Sequence, residues 1–537
     1  MFGKALCSAA VVLLCCACSA GDQPSTSTGH VAGDTSAVNS CASARAAAAS
    51  APQQWNGWGI DPENSRFQSS PGLRAEQLAT LHLHWAFAFP GGSVFGQPAI
   101  VGGRLYVGSD NRRVYALDAA SGCAYWTFLA QAGVRTAISV GRIGPSGPVA
   151  VYFGDVSGNV YAVDADTGAL IWTRRADPHP LTRITGAPLL AENRLYVPLS
   201  SSEESAGANP RYECCTFRGG VVAYDAGTGA ELWRTYTIPS APVATRRNAS
   251  GTQLWGPAGA AIWSAPTIDR RRGLLYVATG NGYTEPAAET SDAVLALDLR
   301  TGALRWSRQF TPNDAYILKC GPDASTRENC PASEGPDFDF GNSPILRALP
   351  NGRSIITLGQ KSGVAWGLDP DREGEVVWER RLGRGGPLGG VQWGSAADHD
   401  AAYFGITDAQ HGPAVAGGVH ALRLSDGEPL WRWRPANACA APSRDCVETH
   451  SAALTVMPGA VFAGTTTGVL RAHSTTDGHV LWEFNTARRF ETVNGIRAAG
   501  GALDGPGPVV AEGRVFVASG YRPSGGGGNV LLAFGPR

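Results

Sequence analysis

Lysine is almost missing from this chain. It stands at Lys4, Lys319 and Lys361 and nowhere else in 537 residues, while Arg fills the long cationic positions. Charge is sparse overall, at 17% of residues, and it nearly cancels to a net of −1. No basic stripe is present, so nucleic acid is not an expected partner, and a polyanionic substrate is not favoured. Beyond the first 20 residues no segment holds the ~18 unbroken apolar residues of a membrane helix. Cys-x-x-Cys-His is absent, which excludes covalent haem attachment through that motif. The ten His residues show no metal-ligand spacing, and His179, in an Asp-Pro-His-Pro loop, reads as structural.

Glycine is abundant at 69 and Trp numbers 15, a mix that suits short strands joined by tight turns. Residues 1–20 read as an export signal: Lys4, an apolar run Ala5–Cys18 too short to span a bilayer, then small residues for cleavage. The expected location is therefore periplasmic or exported. Cleavage before Cys18 would add a lipid anchor, although Cys15 and Cys16 depart from the usual lipoprotein pattern. Residues 21–51 are rich in Ser, Thr, Ala and Gly and read as a flexible linker. Eight cysteines follow the signal, an even count that points to disulfides in an exported chain. Cys320 with Cys330, and Cys439 with Cys446, are spaced to staple single loops; Cys41 with Cys123 is what then remains beside the adjacent pair Cys214-Cys215.

One pattern recurs along residues 52–537. A period-2 apolar strand leads into an Asp/Gly turn and a second strand that ends in Trp. It reads VYALDAASGCAYW to Trp126, VYAVDADTGALIW to Trp172 and VVAYDAGTGAELW to Trp233, and it returns at Trp306, Trp378, Trp431 and Trp482. Each is a hairpin. Another strand pair precedes each one, so a unit holds about four strands, the size of a propeller blade. Seven units end in the Trp. An eighth begins at Gly507 and lacks only its outer strand, which His82–Phe87 has the character to supply. The expected fold is all-β, an eight-bladed β-propeller of four-stranded blades closed by its own N-terminal strand, with a seven-bladed ring as the rival. The repeated Trp residues read as core.

The opening WNGWGIDPENSRFQ, from Trp55, resembles that of quinoprotein alcohol dehydrogenases. Residues 52–537 as a whole are similar to the polyvinyl-alcohol dehydrogenase group of that family, through GCAYWTFLAQAGVRTAIS, DPHPLTRITGAPLL, YECCTFRGGVVAYDAGTG, IWSAPTIDRRRGLLYVATGNGY, GQKSGVAWGLDPD and SGYRPSGGGGNVLLAF. The resemblance implies pyrroloquinoline quinone (PQQ) on the propeller axis, Ca²⁺ beside it and a carboxylate base.

It also assigns roles. Cys214-Cys215 matches an adjacent disulfide that lies on one quinone face, though in a different blade from that of methanol-oxidising relatives. A bond between neighbours closes almost no loop and adds little stability. Trp263 matches the aromatic floor of the other face, and it lies outside the hairpin-end series. Arg218 matches an Arg near the cofactor carboxylates. Asn281 and Asp337 match Ca²⁺ ligands, to be joined by one of Glu203, Glu204 and Glu213, with Glu204 the marginal choice. Asp337 is the expected general base; Asp339 is the alternative, because an insertion carrying Cys320 and Cys330 separates both from Thr311-Pro312-Asn313-Asp314. Lys361, a lone Lys among Arg, matches the cation that polarises a quinone oxygen. Trp393 and Asn494 match residues that face the axis.

The implied chemistry is oxidation of a secondary alcohol of the polyvinyl-alcohol type, with a sugar, a small primary alcohol or another secondary alcohol as the alternative substrate. A proton passes to Asp337 and hydride to the quinone, and electrons leave to a separate acceptor such as a cytochrome c. A non-catalytic exported scaffold sharing only the blade repeat is the rival, and it has no need of Cys214-Cys215, Trp263 and Lys361 together.

Overall fold

The Asp-x-x-Thr/Ser-Gly run between paired strands is a turn built by its own side chains. Asp118 Oδ1 accepts the N–H groups of Ala120 and Ser121, at 3.1 and 2.8 Å, and the Ser121 hydroxyl. Gly122 then takes φ 73°, a conformation that costs other residues. Asp164 with Thr167, Asp225 with Thr228 and Asp298 with Thr301 repeat this arrangement. The same physics at each repeat gives the same hairpin.

The computed structural model describes residues 39–43, 45–320, 327–436, 447–521 and 527–537. The export signal, Cys18 and the Cys439/Cys446 pair lie outside the described residues. Eight antiparallel sheets form eight blades. The first is Ala99–Val101, Arg104–Gly108, Arg113–Asp118 and Ala124–Leu129, ordered from axis to rim. The last is Val509–Ala511, Arg514–Ser519, Val530–Gly535 and, on the rim, His82–Ala88. His82 pairs with Gly535 and Ala88 with Val530, so the two ends of the repeat share one sheet. Eight blades and the closing strand are as the sequence predicts, and no blade is left with a torn edge.

Neighbouring blades lock through the repeated Trp. The ring of Trp126 lies over Gly168 in the turn of the next blade, and its Nε1 donates to Ala165 O at 2.9 Å. Trp172 over Gly229 and Trp378 over Gly427 do the same. Trp85, on the closing strand, lies over Gly122 and donates to Ala119 O at 3.2 Å. It is the eighth member of the series and seals the last blade to the first.

Residues 39–51 correct the expectation of a flexible linker in their part of it. Cys41 is disulfide-bonded to Cys123. Cys41 N–H donates to Ala124 O at 3.0 Å, and Ala47 and Ala49 pack on the core between the first and second blades. The disulfide and a run of small apolar side chains hold this stretch to the first blade.

The segment Trp55–Gln68 closes one end of the axis. It bonds in turn to Ile100 of the first blade, Val140 of the second, Ile268 of the fourth and Leu346 of the fifth. It then meets Ala397, Val456 and Val510 in the last three blades. Arg66 lies at its centre, fully buried. Its guanidinium donates to Trp58 O, Gln97 Oε1, Leu454 O and Thr455 Oγ1 at 2.5–3.1 Å. Burial lowers its pKa to about 9.

Candidate active site

Above this plug, the segments that lead into the innermost strands converge on the axis. Phe95, Arg135, Thr185, Trp263, Gly341 and Gly505 each stand four residues ahead of an innermost strand, and Trp393 stands three ahead. All of them line an apolar axial cavity whose far wall is Trp58. Trp263 and Trp393 meet edge to face, with ring centroids 5.1 Å apart. No Cβ fits at Gly341, because the Trp263 ring occupies that space.

A second, polar cavity of about 160 Å³ continues from these rings. Trp263, Arg135, Arg183, Glu204, Asn281 and Asp339 are among its walls. Lys361 Nζ lies 5.6 Å from the centre of the Trp263 ring. It donates to Asp339 Oδ2 at 2.8 Å and to Asp337 Oδ1 at 2.9 Å. Asp339 Oδ1 accepts the N–H of Asn281 at 2.6 Å. Both amide hydrogens of Asn281 are spent on Gly282 O and Tyr316 O, at 2.7 and 2.9 Å, which leaves Oδ1 as its free acceptor. Asp314 accepts the N–H groups of Asp337 and Phe338 at 3.1 and 2.7 Å and so fixes the Asp337–Asp339 turn across the insertion.

Burial and crowding set the charge states. Burial pushes Glu204 up to about 7, with Asp339 adding to the rise. Burial raises Asp337 well above the carboxylate range, against the pull of Lys361. Lys361 rises well above its ordinary value, because Asp337, Asp339 and Glu204 outweigh its own burial. Asp292, fully buried with neither oxygen hydrogen-bonded, is raised well above its ordinary value by burial, then by Asp314 and Asp339.

The structure sorts the expected residues. Trp263, Trp393, Asn281, Glu204 and Asp339 line the polar cavity, while Asp337 and Lys361 adjoin it through the ion pairs. The three glutamates are placed differently. Glu203 is buried, accepting Tyr212 Oη and the N–H groups of Thr216 and Phe217 at 2.7–2.9 Å. Glu213 is exposed, and Glu204 alone of the three reaches the cavity. Three expectations shift. Arg218 turns away to Ile238 O and Pro239 O and stacks on Tyr236 at 3.9 Å, because the blade edge offers it those carbonyls. Asn494 pairs with the N–H and C=O of Ala88 at 3.1 and 2.9 Å and anchors the closing strand. Cys214 and Cys215 do form a disulfide, but Cys214 lines a neighbouring cavity beyond Tyr283 rather than this one. Arg135 and Arg183 were not singled out. Among so many Arg residues their chemistry carries no signal; Arg135 is marked by its register four residues ahead of an innermost strand, whereas Arg183, on the short strand Thr182–Arg183, is not.

The family described as "Glucose/ethanol/alcohol dehydrogenase, beta-propeller domain" matches residues 55–317. A polyvinylalcohol dehydrogenase of Pseudomonas sp is 47% identical over 90% of this chain and 77% of its own length. This chain belongs to the PQQ-dependent dehydrogenase family. A polyvinylalcohol dehydrogenase of Sphingopyxis sp. is 39% identical over 90% of this chain and 76% of its own. Among solved structures, quinohemoprotein alcohol dehydrogenase ADHIIG of Pseudomonas putida shares the fold, with a TM-score of 0.68 at 18% identity over 90% of this chain and 80% of that one. The family described as "Outer membrane protein assembly factor BamB" also matches, at residues 217–433, 360–498 and 415–534. Those stretches hold the blade repeat that scaffolds and PQQ-dependent dehydrogenases share. The chain is thus an oxidoreductase, and PQQ is the cofactor of its family.

Proposed function

We propose that this chain oxidises secondary hydroxyl groups, including those of a polyvinyl-alcohol-type polymer, at the cavity beside Lys361. The observation that carries this reading is the buried Lys361 held between two carboxylates against the Trp263 ring. A flat aromatic cofactor needs such a floor. Arg135 and Arg183, on the walls of the same cavity, suit the carboxylates of a quinone. Glu204 and the free Oδ1 of Asn281 are hard oxygen donors of the kind Ca²⁺ takes, and a divalent ion would offset the excess of buried carboxylates. PQQ with Ca²⁺, when bound, supplies the two-electron sink for the hydride.

The chain's own residues do the rest. Asp339 faces the cavity and is the carboxylate we assign to take the alcohol proton. Asp337, the alternative, shares the Lys361 ammonium. Lys361 hydrogen-bonds Asp339 and places a positive charge beside Trp263, where negative charge on a reduced ring would be stabilised. The electrons then pass to a separate acceptor such as a cytochrome c. Three disulfides among the described residues support action outside the cytoplasm, where such bonds persist. A scaffold would have no use for a buried ammonium clamped by two carboxylates, since burying that group is costly.

The test is dye-linked oxidation of secondary alcohols by the purified chain, with PQQ and Ca²⁺ added singly and together. Turnover that requires both is the expected result. Absence of turnover with every alcohol, alongside absence of quinone binding, would overturn the reading.

A further inference from the structure

A separate cavity of about 330 Å³ adjoins Tyr283, which lines both it and the polar site. Its walls include Cys214, Leu254, Trp255, Thr284 and Pro331. No strand of a four-stranded blade lines it. It is built from a loop over residues 202–217, a hairpin of Val243–Arg247 with Gln253–Gly256, and the insertion over residues 315–320 and 327–336, packed against Tyr283–Glu285 in the connection between two strands of the fourth blade. These excursions interlock at Asn329, whose Nδ2 donates to Gly207 O and Asn209 O at 3.0 and 2.8 Å and whose Oδ1 accepts from Asn248 at 2.8 Å. Disulfides Cys214–Cys215 and Cys320–Cys330 hold two of the three. A propeller needs none of this to close, and ordering so much loop is entropically costly.

The cavity wall carries one cation, Arg246, and one carboxylate, Glu285, and both are tied to backbone. Nη2 of Arg246 donates to Glu328 O and Cys330 O, at 3.1 and 3.3 Å. The Glu285 carboxylate accepts the N–H groups of Ala332 and Ser333 at 2.6 and 2.8 Å. What remains is the half-buried Trp255, its indole N–H unengaged among the described residues, and the Thr284 hydroxyl. The Thr284 oxygen accepts Ala258 N–H at 3.1 Å, which leaves its proton to donate. A purely apolar chain would strand these donors. Flat rings for C–H groups beside neutral donors for hydroxyls suit a carbon chain that carries both.

We propose that this cavity is a subsite for the stretch of a neutral, polyhydroxylated carbon chain that flanks the hydroxyl being oxidised, with Trp255 as its platform. The inference rests on the alcohol-oxidising reading above. Tyr283, common to both cavities, puts the subsite next to the reacting position. Trp255 is held there by its backbone, which donates to Cys214 O at 2.7 Å and accepts from Cys215 N–H at 3.2 Å, so its side chain is free to serve the ligand.

The experiment compares Trp255→Ala and Trp255→Phe with the parent, all loaded with PQQ and Ca²⁺, on polyvinyl alcohol and on 2,4-pentanediol. Loss of one aromatic platform should raise KM for the polymer about five- to tenfold. KM for the diol and both kcat values should hold, and Trp255→Phe should stay near the parent. In parallel, cofactor-free protein is titrated with polyvinyl alcohol by indole fluorescence; the parent should saturate and Trp255→Ala should need several-fold more polymer. Should Trp255→Ala fail to fold, Trp255→Leu keeps the bulk, removes the ring and carries the same comparison. Equal shifts for polymer and diol, or no shift in either, would overturn the subsite. If the parent oxidises no alcohol, the alcohol reading fails instead, and the titration without cofactor still decides whether the cavity takes the polymer.

Discussion

Lys361 donates to Asp337 and Asp339 at nearly equal distances, yet the two carboxylates are placed differently. Asp339 lines the cavity and is hydrogen-bonded to the backbone of Asn281. Asp337 sits at φ 57° in a turn that Asp314 pins from behind. Removing a general base costs about 10²–10⁴ in rate. Asp339→Asn should therefore lower kcat by about 10³-fold while quinone binding, followed by its absorbance, persists. Asp337→Asn should lower it by about tenfold, through the altered field at Lys361 alone. The reverse order of effects would return the base to Asp337. The sequence displays the Asp-x-Asp pair and the lone Lys, but not which Asp turns inward. That choice is made by Asp314, whose contact spans an insertion of unpredictable path. Among Glu203, Glu204 and Glu213 the sequence favours Glu204 only marginally for the same reason: only the loop's docking decides that Glu203 binds backbone while Glu204 faces the cavity.

A blade is specified by contacts its own hairpin makes with the next one, which is why the repeat was readable. Trp at the strand end, Gly in the following turn and Asp ahead of it are one joint, written once per blade. Gly427 shows what the joint demands. It has φ 70°, and a Cβ there would lie 2.6 Å from the Trp378 ring. Gly427→Ala must therefore move the Trp or the turn, and it adds a backbone penalty as well. The cost should be about 2–4 kcal/mol, seen as a lower urea midpoint with an unchanged slope. An Ala variant as stable as the parent would show that the ring has room to move. The elements that escaped sequence reading are those outside this joint. Arg218 carries a motif likeness but stands at a blade edge, where carbonyls and the Tyr236 ring claim it. Asn494 lies in an excursion whose partner, Ala88, is about 400 residues away.

At the scale of the whole ring, the weakest seam under acid should be that between the sixth and seventh blades. His420, on strand Val419–Arg423, and His473, on strand Val469–Ser474, are buried there with His450. The Nε2 atom of each is buried without a hydrogen-bond partner among the described residues. His450 and His473 flank the Trp433 ring at 5.7 and 4.6 Å. Around them stand Arg471, held by Glu448 and Glu483, with Arg432, Arg434 and Asp408 near His420 and His479 near His473. Burial first, then the arginines, lowers His420 to about 3; burial lowers His473 to about 4 and holds His450 well below its ordinary value. The unfolded chain takes up these protons below about pH 6.5 and the folded chain does not, so stability falls as pH drops through that value. At pH 5 each of His420 and His473 should cost about 2 kcal/mol relative to pH 7. Buried carboxyls pull the other way. Asp61, which burial raises to about 6, is an example, since it favours the folded chain as acid protonates it. The histidine contribution is therefore read as a difference. Urea unfolding at pH 7 and pH 5 is compared for the parent and for His473→Phe, in which the carboxyl contributions cancel. The loss between the two pH values should be about 2 kcal/mol smaller in the variant. Equal losses would mean that His473 meets its proton without opening the seam. The acid sensitivity of the ring would then have to come from the ion pairs of Arg471 instead.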